Sequence, residues 1–204
     1  MMKRVTIYLC GVLLVSLGIV LCKKCSLGIS PVSCIPYVLE DCLPFSFGTL
    51  TIFFHLVNIV LQMILLRRFL NARLLLQVPL ALLFGRVIDG FQRIVVFNNT
   101  LALNQWIALA LSIFFTALGM VCMISMNLIQ NPPDGLVRVI SQKTGKELGK
   151  IKIGYDILCV AAAVIIGLLT SGKIRGMGAA TILSALLVGR TVTWIKQAIA
   201  RIKQ

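Results

Sequence analysis

Charged residues are scarce in this sequence, and acidic residues and histidine are the scarcest. Only 13% of the 204 residues are charged, with six Asp or Glu residues and one His. Hydrolases and metal sites are built from clustered carboxylates, imidazoles or thiolates, and a chain with so few such groups can hardly assemble them. The sequence also has no Walker A, G-x-S-x-G or H-E-x-x-H motif. We therefore expect no catalytic residue, no metal site and no cofactor.

The polar surface that a soluble fold requires is also lacking. The chain is 59% hydrophobic, whereas soluble domains are about 45–50% apolar and about 25% charged. The net charge of +14 does not indicate nucleic acid, because the basic residues form short clusters between apolar stretches and no patch interleaved with aromatics. Such clusters are typical of residues that orient membrane spans. The predicted environment is therefore a lipid bilayer.

Six apolar stretches are long enough to cross a membrane, for which about 20 residues are needed. They are residues 5–22, 48–66, 74–96, 103–128, 155–170 and 176–195. Two further segments, 29–43 and 132–152, contain prolines and charges, so we expect short interfacial or re-entrant helices there. The sequence thus predicts an all-α polytopic membrane protein of about six transmembrane helices.

The basic residues between these stretches predict the orientation. With the N-terminus in the cytoplasm, thirteen Lys or Arg residues fall on the cytoplasmic side and four on the opposite side. This asymmetry follows the positive-inside rule and fits an even number of spans. We therefore expect the cell (cytoplasmic) membrane, with both termini cytoplasmic.

The two halves of the chain resemble each other. Leu17-Gly18 matches Leu118-Gly119, and Pro31 matches Pro132, both at an offset of 101 residues. At an offset of 104, residues 81–86 (ALLFGR) match residues 185–190 (ALLVGR). Each half reads as a span, a Pro-containing segment and two spans. Because three spans reverse the direction of the chain, the repeats, about 1–100 and 101–204 in one membrane domain, are predicted to be inverted.

Four short motifs, in this order along the chain, resemble the YczE/YyaS/YitT family of bacterial multi-pass membrane proteins. They are Leu27-Gly28-Ile29-Ser30-Pro31, Gly85-Arg86-Val87-Ile88-Asp89, Pro133-Asp134-Gly135-Leu136 and Gly176-Met177-Gly178. This chain departs from the family pattern at two places. Where the family has Gly-Thr soon after the residue corresponding to Gly176, this chain has Gly178-Ala179-Ala180-Thr181, and it lacks the family's proline near Arg190. The resemblance implies a membrane architecture and no particular activity.

Charged residues within the predicted spans are candidates for solute binding, because a charge is costly in lipid. Arg86 and Asp89 share one face of the third span, and Arg190 is the counterpart of Arg86 in the second half. In inverted repeats the two arginines would approach a common axis and attract an anionic group, with Asp89 neutralising one of them. The alternative is that both arginines snorkel to lipid headgroups and Asp89 pairs with a neighbouring arginine.

A second candidate is a polar stripe on the second span. Thr51, His55, Asn58 and Gln62 are spaced by four, three and four residues and therefore share one helix face. We expect this face to point into the bundle or a wet cavity and to line a solute path, where His55 could accept a proton. The alternative is hydrogen bonding between helices without a role in binding.

The seven cysteines leave one question open. Cys22 and Cys25 form a C-x-x-C motif, but no second pair follows at zinc spacing and no histidine is nearby. A disulfide among Cys25, Cys34 and Cys42 would require their loop to face an oxidising compartment.

The leading hypothesis from the sequence is a small-solute transporter or exporter with an anionic substrate. The alternative is a non-transporting accessory or regulatory membrane protein, whose basic segment 138–152 docks a partner or anionic lipid. A remote alternative is a membrane-embedded enzyme that would depend on His55 and Asp89. A homo-oligomer or a partner membrane protein is compatible with each of these hypotheses.

Overall fold

The described chain consists of helices and the loops between them, and it contains no strand. The computed structural model describes residues 2–67, 72–96 and 101–202, without the side chains at positions 73 and 202. The helices are α1 (Met2–Lys24), α2 (Cys34–Glu40), α3 (Phe47–Leu66), α4 (Ala72–Leu75), α5 (Gln77–Ile94), α6 (Ala102–Met126), α7 (Pro132–Thr144), α8 (Leu148–Ser171) and α9 (Ala179–Ile202). A 3₁₀ turn, Pro31–Ser33, leads directly into α2. The predicted all-α class is confirmed.

Five of the described helices are long and apolar enough to cross a membrane. They are α1, α3, α6, α8 and α9. Helix α5, the third predicted span, has 18 residues and carries Arg86, Asp89 and Arg93, which makes it too polar to qualify on composition. The chain is therefore a multi-pass helical membrane protein, whereas the count of six spans and the position of the termini stay predictions. Arg68 and Lys203, two of the thirteen cations behind that orientation, lie outside the described residues.

The ends of the helices follow from local signals. Helix α3 begins after Ser46, whose hydroxyl accepts a hydrogen bond from the amide of Thr49. Helix α7 begins at two prolines and ends at Gly145, which has a positive φ of 68°. Helix α8 begins at Leu148, seven residues before the predicted span, because its first two turns carry lysines that the apolar pattern left out. The predicted short helices in 29–43 and 132–152 correspond to α2 and α7.

Large apolar side chains are exposed along the spans, as expected for helices that face lipid rather than water. On α8 the exposed set includes Ile157, Leu158, Ile165 and Leu169, and on α3 it includes Val57 and Val60. In water this surface would be a liability of the kind that drives association. In a bilayer it is the normal outer face of a span.

The chain divides into two compact units, and each draws segments from both sequence halves. Unit 1 consists of Met1–Ser30, Gly90–Leu128 and Gly176–Gln204, and unit 2 consists of Pro31–Asp89 and Ile129–Arg175. Unit 1 therefore contains α1, the end of α5, α6 and α9. Unit 2 contains α2, α3, α4, most of α5, α7 and α8.

Unit 1 is organised around the antiparallel pair of α1 and α6. Near one end of the pair, a methyl group added at Gly11 would lie 2.8 Å from the carbonyl oxygen of Gly119. A methyl group added at Gly119 would lie 2.6 Å from the carbonyl oxygen of Gly11, so the contact is reciprocal. Near the other end, Gly18 gives room to the backbone of Ser112 and to the side chain of Thr116. The two backbones thus approach closely where small residues face each other.

Helix α9 completes unit 1 by packing on α6. Ile195 of α9 is buried with Ala117 and Val121 of α6. The start of α9 is fixed by the loop after α1, because Ile29 N donates to Gly176 O and Ala180 N donates to Leu27 O, both at 2.9 Å. The Gly176-Met177-Gly178 motif therefore forms the turn into a helix.

In unit 2 the short helices α2 and α7 each pack on a long helix from the other half of the sequence. Helix α7 packs on α3, and α2 packs on α8, while α2 also contacts α3 and α7 also contacts α8. The apolar core contains Leu136 and Val137 of α7 with Tyr155 and Cys159 of α8. Helix α5 crosses α3 where Gly48 and Gly85 face each other so closely that neither has room for a Cβ.

Candidate functional site

The four polar residues of α3 are all buried in unit 2. The exposed fraction is 6% for Thr51, 3% for His55, 2% for Asn58 and 1% for Gln62. A stripe with this exposure faces the interior of its unit, because polar groups on the lipid side would have no hydrogen-bonding partners there. A role of the stripe in solute binding stays a prediction.

Gln62 is the centre of an amide network that joins three helices. Its Nε2 lies 3.0 Å from Gln77 Oε1 on α5 and 3.0 Å from the carbonyl oxygen of Pro132 at the start of α7. In return, Gln77 Nε2 donates to Gln62 Oε1 at 3.2 Å. The close approach of α7 is possible because Gly135 stands beside the Gln62 side chain and has no Cβ. Gln77 and Pro132 were missed by the sequence analysis.

Asn58 connects the stripe to α8. The Tyr155 hydroxyl donates to Asn58 Oδ1 at 2.7 Å, and Asn58 Nδ2 donates to the Phe54 carbonyl at 2.7 Å. Thr51 Oγ1 donates to the carbonyl of Phe47 within its own helix. The stripe is therefore largely bonded to protein atoms, which is the structural alternative considered above.

His55 differs from the rest of the stripe. Its ring packs against Phe84, with centroids 5.6 Å apart, and against Phe54 at 6.4 Å. Its Nδ1 is buried and has no hydrogen-bond partner among the described residues. An unpaired buried polar atom costs about 1–3 kcal/mol. His55 is thus the one stripe residue whose placement the hydrogen bonds of unit 2 do not account for.

Asp89 holds the beginning of α3. Its Oδ2 accepts a hydrogen bond from Ser46 Oγ at 2.6 Å, and its Oδ1 accepts from the amide of Gly48 at 2.8 Å. A carboxylate at a helix N-terminus is favourable because of the exposed amides and the helix dipole. These partners are the residue that precedes α3 and the second residue of α3, and they differ from the arginine partners that the sequence suggested.

The two candidate arginines belong to different units. Arg86 lies on the part of α5 in unit 2, Arg190 lies on α9 in unit 1, and both side chains are exposed. A common anion site formed by both stays a prediction. The described contacts likewise give no hydrogen bond between His55 and Asp89, the pair on which the enzyme alternative would depend.

An ion cluster at the start of α8 was also missed by the sequence analysis. Lys152 Nζ lies 2.7 Å from Asp156 Oδ1 and 3.9 Å from Asp134 Oδ1 of α7. The same ammonium lies 5.7 Å from the centre of the Tyr155 ring. The i,i+4 spacing of Lys152 and Asp156 is the signal that could have identified the pair. The cluster connects the N-terminal part of α7 to the N-terminal part of α8.

The cysteines form no disulfide among the described residues. Cys25 is buried beyond the end of α1, and its Sγ donates to the carbonyl of Cys22 at 2.9 Å. The pKa of the Cys25 thiol is lowered to about 7, chiefly because of its hydrogen bond with the Cys22 thiol. The described residues contain no group of three metal-ligating side chains.

The apolar spans, the exposed apolar faces and the buried polar contacts together define a multi-pass α-helical membrane protein. A family model described as a family of unknown function, DUF6198, matches residues 2–197. The chain therefore belongs to that family. No curated protein and no solved structure matches it. The resemblance to the YczE/YyaS/YitT family is not tested by this match and stays a prediction.

Proposed function

We propose that the protein is a small-solute transporter of the cell membrane, built from two inverted repeats of three spans with both termini cytoplasmic. The observation that carries the proposal is the antiparallel crossing of α1 and α6. These helices are the first spans of the two matching sequence halves, related by an offset of 101 residues. Inverted repeats of this kind are common in transporter folds.

The contacts along this crossing follow the same offset. Gly11 contacts Gly119 near one end, and Gly18 contacts Ser112 near the other. Adding 101 to Gly11 gives Ser112, and adding 101 to Gly18 gives Gly119. Each contact is therefore the repeat-related copy of the other, as expected for a pair of helices related by a two-fold axis.

The packing in unit 2 supports the same arrangement. In the proposed repeat α2 corresponds to α7, and α3 corresponds to α8. The contact of α7 with α3 then has the contact of α2 with α8 as its counterpart, and both occur. Both short helices begin at or just after a proline, because α7 begins at Pro132 and the 3₁₀ turn that leads into α2 begins at Pro31. Short proline-containing helices that pack across repeats resemble the discontinuous segments from which transporters build solute sites.

The solute is proposed to be anionic, and the candidate residues are Arg86 and Arg190. Each stands at the end of a matching A-L-L-x-G-R sequence, and each side chain is exposed. Neither forms an ion pair with another described residue. Guanidinium groups bind carboxylate and phosphate with two parallel hydrogen bonds. The stripe residues Thr51, His55, Asn58 and Gln62 remain candidates for the solute path.

Flux into proteoliposomes tests the proposal. Purified protein is screened with radiolabelled carboxylates and phosphates, and then compared with the double variant Arg86→Ala and Arg190→Ala. We expect uptake of at least one anion by the wild type and its loss in the double variant. Arg201→Ala, an exposed arginine near the end of α9, is the control and should retain uptake. Absence of flux for the wild type across the screen would contradict transport.

The accessory-protein alternative is favoured by one observation, which is that most polar atoms of the stripe are satisfied by protein partners. Its exposed cations on and after α7 are Arg138, Lys143, Lys146 and Lys150. Crosslinking in intact membranes distinguishes the two functions. A stable partner that depends on these cations, together with tolerance of alanine at Arg86 and Arg190, would favour the accessory role.

A further inference from the structure

The two thiols of the C-x-x-C motif meet at the end of α1 in unit 1. Cys22 Sγ and Cys25 Sγ both lie 3.9 Å from the carbonyl oxygen of Gly28. Cys25 Sγ also donates to the carbonyl of Cys22 at 2.9 Å, and the two thiols are hydrogen-bonded to each other. The proposed solute path does not include this pair, so its close approach has no role yet.

The backbone around the pair allows a disulfide to close. Residues three apart on a helix have Cβ atoms about 5–6 Å apart, whereas a disulfide needs about 3.8 Å. Cys25 lies one residue beyond the last helical residue, Lys24. The chain then turns through Ser26 at a φ of 59° and Gly28 at a φ of 111°. Because Cys25 stands in this turn rather than inside the helix, it can move toward Cys22 without breaking α1.

The pair also has the reactivity that oxidation requires. The thiolate, not the thiol, is the nucleophile that attacks an oxidant. The hydrogen bond with the Cys22 thiol lowers the pKa of Cys25 to about 7, which leaves about half of this thiol ionised at neutral pH. A thiolate with a second thiol beside it is the arrangement found in redox-sensing cysteine pairs.

Access to the two sulfur atoms is narrow. The exposed fraction is 3% for Cys22 and 0% for Cys25. A partly open cavity of about 30 Å³ reaches Cys22, with Ile19, Ser30 and Ile113 among its other lining residues. Burial protects the pair from a bulky disulfide such as oxidised glutathione, which must align with the attacking sulfur. A small neutral oxidant can approach Cys22 along the cavity.

Oxidation of the pair would alter the contact between this segment and α9. A disulfide has no S–H group, so the Gly28 carbonyl would lose both of its thiol donors. The neighbours of Gly28 anchor α9, because Leu27 O accepts from Ala180 N and Ile29 N donates to Gly176 O. Gly28 also packs so closely against the turn into α9 that it has no room for a Cβ. A shift of Gly28 is therefore transmitted directly to the start of α9.

We propose that Cys22 and Cys25 form a redox switch that hydrogen peroxide converts to a disulfide, and that closure of the disulfide loosens the start of α9. One sulfur attacks the O–O bond of the peroxide, which leaves a sulfenic acid and releases one water molecule. The second sulfur attacks the sulfenic sulfur, the S–S bond forms, and a second water molecule leaves. The two thiols are oxidised, the peroxide is reduced, and both thiol protons end in water. The switch is independent of the proposed transport function.

The test counts free thiols in the purified full-length protein before and after treatment with hydrogen peroxide. The reduced chain has seven cysteines, each of which a maleimide labels once the protein is unfolded. We expect the loss of two thiols, a disulfide between Cys22 and Cys25 in the peptide mass map, and its reversal by dithiothreitol. Oxidised glutathione should close the pair about tenfold more slowly in the folded protein than in the unfolded protein, because burial protects the sulfur atoms.

Single substitutions assign the disulfide to the pair. Cys22→Ser and Cys25→Ser should each abolish it. The control is Cys34→Ser, because Cys34 is also buried, with an exposed fraction of 0%, but lies on α2 in unit 2. This variant should respond to peroxide like the wild type. Should a serine variant fail to fold, Cys25→Ala removes the same sulfur without adding a hydroxyl, and it should lose the disulfide while retaining the wild-type circular dichroism spectrum.

Hydrogen exchange measures the effect of closure on α9. The amides of Ile29 and Ala180 are the donors that join the two segments. In the oxidised protein they should exchange about tenfold faster than in the reduced protein, because their hydrogen bonds open more often. Amides near Ala117 in the middle of α6 are the internal control and should exchange equally in both states.

Retention of all seven thiols in peroxide would overturn the proposal. A disulfide that maps to another pair, such as Cys10 and Cys122, would also overturn it, because Cys22 and Cys25 would then not be the reactive thiols. Loss of two thiols that persists in both serine variants has the same meaning. A disulfide between Cys22 and Cys25 with unchanged exchange at Ala180 would overturn the coupling to α9.

Discussion

The helices of the two units associate in lipid through different kinds of contact. Unit 1 brings the backbones of α1 and α6 together at Gly11, Gly18 and Gly119. Unit 2 also has one close crossing, at Gly48 and Gly85, but its long helices are joined mainly by side-chain hydrogen bonds. Because lipid is as apolar as a leucine side chain, burial of apolar surface cannot drive either arrangement. Close packing of backbones therefore stabilises unit 1, and hydrogen bonds between polar side chains contribute much of the stability of unit 2.

The largest expected effect is a methyl group placed in the crossing of unit 1. Gly119→Ala should lower the free energy of unfolding by about 3 kcal/mol, because the added Cβ meets a backbone oxygen of Gly11 that has no rotamer to change. Chemical unfolding in detergent measures this loss. Gly189→Ala on α9 is the control, since nothing lies within 4 Å of its position. The control should gain up to about 1 kcal/mol from helix propensity, and equal losses in both variants would contradict the packing argument.

The corresponding change in unit 2 removes the amide at the centre of its network. Gln62→Leu keeps the volume but leaves Gln77 and the Pro132 carbonyl without their shared partner. We expect a loss of about 2 kcal/mol in the free energy of unfolding, from buried polar groups left unpaired. Gln197→Leu, at an exposed position of α9, should cost much less. If both substitutions cost the same, the network does not stabilise unit 2.

A smaller effect is expected at the beginning of α3. Asp89→Ala removes both hydrogen bonds that the carboxylate accepts there, from Ser46 and Gly48. The expected loss is about 1 kcal/mol, the usual magnitude for a helix cap. Arg86→Ala serves as the comparison, because an ion pair with Asp89 would make it equally damaging. Equal losses of unfolding free energy in the two variants would indicate that Asp89 pairs with Arg86, as the sequence suggested.

The link between α3 and α8 should contribute less again. Tyr155→Phe removes the hydroxyl that donates to Asn58 and leaves the ring in place. Measured coupling between such groups in membrane proteins averages about 0.6 kcal/mol. A double-mutant cycle with Asn58→Ala isolates the pair. A coupling energy near zero would mean that the two side chains are neighbours without mutual stabilisation.

Substitution of His55 should give the smallest change in stability. It also distinguishes most clearly between a structural role of this residue and a role in solute flux. His55→Leu removes a buried nitrogen that has no hydrogen-bond partner among the described residues, so the free energy of unfolding should change by less than about 1 kcal/mol or should rise. A solute path that uses the imidazole would lose flux in the same variant. Large destabilisation by this substitution would instead reveal a hydrogen bond at His55 that the described contacts lack.

The comparison also shows which features a sequence can predict. The spacing of Thr51, His55, Asn58 and Gln62 placed them on one face because helical periodicity is local. Their partners were not predictable, since Gln77, Pro132 and Tyr155 lie 15, 70 and 97 residues from the side chains that they bind. Asp89 was read with its neighbours in sequence, whereas its partners lie more than 40 residues away. Contacts of that kind depend on tertiary packing.

The predicted spans also differ in how well the sequence placed them. Three of the predicted spans agree with α1, α3 and α6 within a few residues, because long apolar runs have few alternatives in lipid. Helix α9 begins near its predicted start but continues to Ile202, seven residues past the predicted end. Helix α8 starts earlier than predicted, since its first turns are polar. Helix α5 forms as predicted from the apolar pattern, but its three charged residues make it too polar to qualify as a span on composition.

The crossing of α1 and α6 has a consequence for the origin of the chain. When two helices meet antiparallel through contacts that repeat at a constant offset, either helix can take the place of the other. The proposed inverted repeat implies a half-length ancestor that assembled from two identical copies inserted in opposite directions. Gene duplication would then have freed each copy to acquire its own loop charges, which fix the direction of insertion. Under that proposal, the polar stripe, present on α3 and largely missing from α8, is a difference that arose after the duplication.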